Sequence, residues 1–207
     1  PLDGPENLVA AAAANPEPVA ETAAWIPGRL RTALRAETGA GGGEYSRRGT
    51  KAQGAHVAFT VEENMRWQAG TVTFWVNCRD PEVSARTISK GLPTVHRILR
   101  FEDSRGGPTL FTLRVVKTEE PGLIQIGFEE KTGTMIETDR WVHLAVTWDL
   151  EGFRLFVDGE EKLTHERTAF ETCTQRIVLT PHEVAAFDDL RIYSAALKRG
   201  KLKELEF

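Results

Sequence analysis

An all-β fold, two antiparallel sheets packed face to face, is the class that three features of this 207-residue sequence predict. Strand-length apolar runs recur with about 8 to 14 residues between their centres, and no long helical pattern interrupts them. Trp141 to Asp149 reads Trp-Val-His-Leu-Ala-Val-Thr-Trp-Asp, apolar or β-branched on both faces, as a strand buried between layers requires. After a short polar break at Asp149 to Gly152, the run Phe153 to Val157 ends in Asp158-Gly159, a dipeptide suited to the positive φ angles of a tight hairpin.

Taken in order, Pro1 to Thr22 is rich in Pro, Ala and Glu, and its one apolar run, Leu8 to Ala14, suits a short helix because alanine is a poor strand former. Trp25 to Gly28 reads as a turn, punctuated by Pro27-Gly28. Ala33 to Ala36 is the next strand, and Gly39 to Gly43 is a loop. No Lys-Ser or Lys-Thr follows those glycines, as a phosphate-cradling loop needs. His56 to Val61 alternates as a strand, Glu62 to Gln68 makes one helical turn, and in Thr71 to Arg79 the residues Val72, Phe74 and Val76 alternate with Thr73, Trp75 and Asn77. Further strands fall at Thr87 to Lys90, Arg97 to Phe101, Leu110 to Lys117 and Leu123 to Glu129. Beyond the hairpin come Arg176 to Thr180 and Ala186 to Tyr193. Leu197, Leu202 and Leu205 then predict a short C-terminal helix within Ala195 to Phe207. No repeat of fixed period is present.

One domain over residues 1–207, with 1–24 as an N-terminal segment, suits this length, and a hydrophobic fraction of 41% supplies an ordinary core. A net charge of −4 argues against a phosphate-tracking surface, so no nucleic-acid partner is expected. No apolar run approaches the roughly 20 residues of a membrane-spanning helix, so no membrane insertion is expected. The chain opens at Pro1 without Met or a signal-like segment, as a processed or excised piece of a larger parent chain would.

Four stretches carry a family resemblance. Trp141-Val-His-Leu-Ala-Val-Thr-Trp-Asp with Leu155-Phe-Val-Asp-Gly resembles the signature of laminin-G-like jelly-roll domains, in the concanavalin A-like lectin/glucanase superfamily. Phe187-Asp-Asp-Leu-Arg-Ile-Tyr with Ala196-Leu197 resembles that family's closing strand, and Trp25-Ile-Pro-Gly-Arg-Leu with Ala33-Leu34, and Thr71-Val-Thr-Phe-Trp-Val, are similar to earlier parts of it. The resemblance implies a jelly-roll β-sandwich and makes Leu8 to Ala10 a first strand, though the family's opening aromatic and acidic residues are missing there. It also implies an extracellular or cell-envelope setting. A bridge between Cys78 and Cys173 there would close a loop of about 95 residues and add roughly 4 kcal/mol. The alternative is that both are small buried hydrophobes.

Chemistry is sparse. Hydrolases of this fold group, by the resemblance, carry carboxylates on alternate residues of one strand, so that both enter one groove. The acidic pairs here, Glu62-Glu63, Glu119-Glu120, Glu129-Glu130 and Glu160-Glu161, are adjacent and read as turn or solvent-facing residues. His143 reads as a packed, hydrogen-bonded histidine, and a lyase would have to assemble His96, Arg97, Arg100 and Tyr45. The expected function is a non-catalytic binding module whose partner is a glycan or a cell-envelope protein. Its rivals are a polysaccharide hydrolase or lyase and an architectural interaction domain. Aromatic rings stack on sugar faces while polar groups read hydroxyls, which selects Trp67, Tyr45 and Trp25 with Asp103 and Arg105 of the polar loop after Phe101. Trp75, Trp141 and Trp148 are assigned to the core.

The resemblance further implies a structural Ca²⁺ at Asp188, with carbonyls near Gly39 to Gly43; otherwise Asp188 caps a turn. A Ca²⁺ at Asp188 would raise the melting temperature in millimolar calcium over that in EDTA. Equal melting in the two would leave Asp188 to the turn.

Overall fold

The computed structural model describes residues 17–19, 23–27, 29, 32–36, 56–60, 68–79, 95–102, 111–129, 132–166, 176–179 and 185–205. Within them two seven-stranded antiparallel sheets face each other. The first runs in the order β1 (Glu17–Val19), β4 (His56–Thr60), β13 (Arg176–Leu179), β6 (Val95–Glu102), β7 (Phe111–Lys117), β8 (Leu123–Glu129), β9 (Thr132–Glu137). The second runs β12 (Glu160–Glu166), β11 (Gly152–Val157), β10 (Trp141–Trp148), β5 (Gly70–Cys78), β14 (Ala185–Tyr193), β3 (Thr32–Ala36), β2 (Ala23–Pro27). Late strands β13 and β14 are inserted between early ones, the interleaving of a jelly roll, and a short helix α1 (Arg199–Lys203) follows.

Alternation decides what enters the core. In β5 the residues Val72, Phe74, Val76 and Cys78 point inward, and β10 meets them in register with Val146, Leu144 and Val142. From the first sheet come Leu99 and Phe101 of β6, Leu113 and Val115 of β7, Ile124, Ile126 and Phe128 of β8, and Ile177 and Leu179 of β13. Aromatic rings cross between the layers: Phe101 lies 5.1 Å from Trp148 and 6.0 Å from Phe153, and Phe128 lies 6.5 Å from Phe153. Trp148 has room because its cross-strand partner is Gly70, where an added Cβ would lie 2.1 Å from the indole Cζ2.

The organising hairpin forms as its residues require. Asp149 Oδ1 accepts the amides of Glu151 at 2.9 Å and Gly152 at 3.3 Å, which turns the polar break. Asp158 and Gly159 then take φ of 47° and 67° in the two-residue loop between β11 and β12, as a type I′ turn demands.

Several expectations are corrected. Trp25 to Gly28 is not simply a turn: Ala23–Pro27 is strand β2, because its backbone finds β3 beside it, Trp25 opposite Leu34. Strand β9 had no apolar signal of its own; it is an edge strand held by β8, with Ile136 buried. The C-terminal helix is five residues, Arg199–Lys203, and only its Leu202 is buried. Trp148 is in the core, but Trp75, although 8% exposed, sits on the outer face of the second sheet, and Trp141 is half-buried. Leu8 to Ala10, Thr87 to Lys90 and all of Glu62 to Gln68 except its last residue lie outside the described residues. So does Cys173; Cys78 is 1% exposed.

Replacing Gly70 by Ala is expected to destabilise the domain by about 1–3 kcal/mol, the usual cost of overpacking. Urea denaturation checks this, and an unchanged midpoint would mean that Trp148 repacks freely.

Candidate functional site

A sandwich has two outer faces, and here they differ. On the second sheet, Ala145 and Phe156 point outward and are covered by Leu202, with Leu197 and Leu205 packed alongside. Thr71 fastens this cover: its hydroxyl donates to the Ala195 carbonyl at 2.8 Å and accepts the Leu197 amide at 2.9 Å.

Next to the cover, one row crosses three strands of the same face, with His143, Trp75 and Asp188 in register. His143 and Trp75 rings are 5.2 Å apart, and the Arg29 guanidinium lies 5.0 Å above the indole. The His143 amide donates to Asp158 Oδ1 at 2.9 Å, and Arg140 pairs with Asp158 Oδ2. Asp188 is fully buried and its Oδ1 accepts the Asp189 amide at 2.8 Å; Asp189, at φ 48°, holds Arg191 through both carboxylate oxygens at 2.9 and 2.6 Å. These groups serve one another. Burial lowers the His143 pKa from its ordinary value, with Asp158 and Asp189 opposing that shift and Arg191 adding to it.

The first sheet presents the other kind of face. Strand β6 carries a bulge between Arg97 and Leu99: Arg97 pairs with Arg114 of β7 and Leu99 with Leu113, so Ile98 is the extra residue. Ile98 and Leu99 are both fully buried. Without the bulge, Arg97 and Arg100, three apart, would point to opposite faces; with it both share the outer face with Arg114. Arg100 stands between Val178 of β13 and Thr112 of β7, which are 1% and 7% exposed. Arg97 is exposed, whereas Arg100 and Arg114 are half-buried with their Nε atoms out of water. Beyond Arg114 the row continues through Gly127 and Gly133, and the side chain of Gln125 fills the space over Gly133. The face therefore carries guanidinium, hydroxyl and carboxamide groups, with Arg100 set between two buried neighbours.

A laminin G profile described as Concanavalin A-like lectin/glucanases superfamily matches residues 50–202. The chain belongs to the concanavalin A-like lectin/glucanase superfamily. No curated protein matches it at the level of sequence. Among solved structures, this superfamily member is similar to domain 4 of AbnA, an extracellular GH43 arabinanase from Geobacillus stearothermophilus in complex with arabinotriose. Identity is 16% and the TM-score 0.53, over 90% of this chain and 82% of that one. A botulinum neurotoxin type C structure, concerned with cell entry through two ganglioside molecules, gives 11% and 0.54 over 94% and 46%. Trypanosoma rangeli sialidase with 2,3-difluorosialic acid gives 15% and 0.53 over 73% and 26%. The chain spans 40% of a botulinum neurotoxin serotype D binding-domain structure. At these identities the likeness is one of fold.

Of the residues selected from sequence, Trp67, Tyr45, Asp103 and Arg105 lie outside the described residues, as does the Trp25 side chain, whose backbone is in β2. Gly39 to Gly43, the other half of the calcium expectation, lie outside them too. Among the described residues no group of three or more His, Cys, Asp or Glu is placed to hold a metal ion. His143 is packed as expected, at 3% exposed. His96 shares the row of core residue Val115, not that of Arg97 and Arg100, so the lyase grouping is divided between faces. The arginine face was missed as a unit. Its one sequence signal is the adjacent apolar pair Ile98-Leu99 between two arginines, which breaks alternation as a bulge does.

His143 predicts a pH response. Its folded pKa lies below the unfolded value of about 6.5, so the unfolded state takes up the proton first and stability is lost as pH falls below that value. Chemical denaturation of wild type and His143→Gln at pH 7.5 and pH 5 checks this. The drop should be smaller in the variant, and equal drops would remove His143 as the cause.

Proposed function

We propose that this chain is a non-catalytic carbohydrate-binding module of a larger exported protein. The observation that carries the reading is the outer face of the first sheet, where Arg97, Arg100, Arg114, Thr112 and Gln125 gather hydrogen-bonding groups in neighbouring rows while the opposite face is closed by the C-terminal segment. Sugars are recognised by such groups through their hydroxyls, with aromatic rings supplying the apolar contact. Asp103 and Arg105 follow directly on β6, and with Trp67, Tyr45 and Trp25 they complete the proposed binding set.

The near end-to-end fold likeness to an arabinanase domain solved with arabinotriose supports a sugar ligand, and the botulinum neurotoxin structure concerned with gangliosides supports the same class. An extracellular or cell-envelope location accords with these neighbours. A structural Ca²⁺ at Asp188 is part of the proposal; one of the two carboxylate oxygens there is engaged by the Asp189 amide.

Affinity electrophoresis of the purified chain through gels containing soluble plant, bacterial and animal glycans tests the reading. Retardation by at least one glycan, with no new reducing ends released, is the expected result. Migration unchanged across the panel would count against a binding module, and release of reducing ends would mark an enzyme.

A further inference from the structure

We infer that Asp158-Gly159 is an isoaspartate site held closed by the fold, with Arg140 as the positioning residue that keeps it so. Asp-Gly is prone to this spontaneous change because glycine puts no side chain in the way of ring closure. The Gly159 amide nitrogen attacks Asp158 Cγ: a carbon–nitrogen bond forms, the amide hydrogen and a carboxyl OH leave as water, and a succinimide ring results. Water then breaks one of the two ring bonds to nitrogen. Breaking the bond at Cγ restores aspartate, whereas breaking the bond at the main-chain carbonyl sends the chain through Cβ as isoaspartate. Composition is unchanged, and the reaction needs no partner but water.

The structure opposes the first step at several points. Both Asp158 carboxylate oxygens are engaged, Oδ1 accepting the His143 amide at 2.9 Å and Oδ2 pairing with Arg140. The Asp158 amide donates to the His143 carbonyl at 2.9 Å, so backbone and side chain alike tie the residue to β10. Asp158 and Gly159 hold φ of 47° and 67° as the hairpin demands, and Gly159 is buried. Ring closure would have to swing Cγ off both partners and rotate the turn. Arg140 makes the weakest of these ties, since its side chain is 53% exposed and that of Asp158 38%, where an ion pair opens readily. Glu137 steadies Arg140 from the end of β9 at 3.6 Å. Isoaspartate would add one main-chain carbon to the two-residue loop between β11 and β12 and take the carboxylate from the His143 amide, so the change would reach the row of His143 and Trp75.

Ageing the folded chain at body temperature and neutral pH, beside the same chain in urea, tests this. The tryptic peptide Leu155 to Lys162 contains the turn, and its isoaspartate form separates by retention at unchanged mass. Isoaspartate should accumulate severalfold more slowly in the folded chain than in urea. Arg140→Gln should raise the folded rate about two- to fivefold, the population change that loss of an exposed ion pair brings. Asp149→Asn, which weakens the pair with Arg154 at the other end of the hairpin, should leave the rate at the wild-type value. Absence of isoaspartate from the urea sample would overturn the site, and equal rates folded and in urea would overturn its protection by the fold. A wild-type rate in Arg140→Gln would overturn the part assigned to Arg140. So would an equal acceleration in Asp149→Asn, which would report general loosening of the hairpin instead.

Discussion

The spacing of the two sheets is set by rings that reach across it. Phe101 and Phe128 from one layer meet Trp148 and Phe153 from the other, and Trp148 reaches its place only because Gly70 leaves the opposite strand bare. Each of these rings buries a large apolar surface, so their joint placement fixes the layers more firmly than any pair of aliphatic residues would. The alternation along β5, β10 and β6 follows from it: once one residue of a strand is committed to the gap, every second neighbour is committed with it.

What remains is the use made of the two outward surfaces. The second sheet spends its outer face on its own stability: Leu202 covers Ala145 and Phe156, and His143, Trp75, Asp158, Asp189 and Arg191 satisfy one another beside it. The first sheet places Arg97, Arg100 and Arg114 on its outer face, with Arg100 between the buried Val178 and Thr112. The two outer faces thus differ in kind, one apolar and closed by the C-terminal segment, the other lined by arginines.

Much of the architecture was legible before coordinates. The doubly apolar run Trp141–Trp148 reported a strand covered on both sides, and Asp158-Gly159 reported its hairpin, because each depends on local chemistry that the residues carry themselves. Strand β9 was not legible, since Thr132–Glu137 owes its pairing to β8 and not to its own propensity. Trp25 misled for a related reason: Pro27-Gly28 is turn-like in isolation, yet an edge strand tolerates proline at its end. The arginine face was hidden by a register change that simple alternation cannot express. His143 could be read as packed, but not that its neighbours would be a tryptophan ring and a turn carboxylate.

The extra residue in β6 has an evolutionary consequence. Because Ile98 is one residue more than the ladder needs, losing it would restore ordinary pairing and leave Arg97 and Arg100 two apart along an unbroken strand. Loss of a residue on either side of an unbulged strand would instead reverse which chemistry faces outward. Deletion at this one point would therefore keep both arginines outward and leave the aromatic interior untouched, so the scaffold tolerates a change of length here that it would not tolerate elsewhere on the strand.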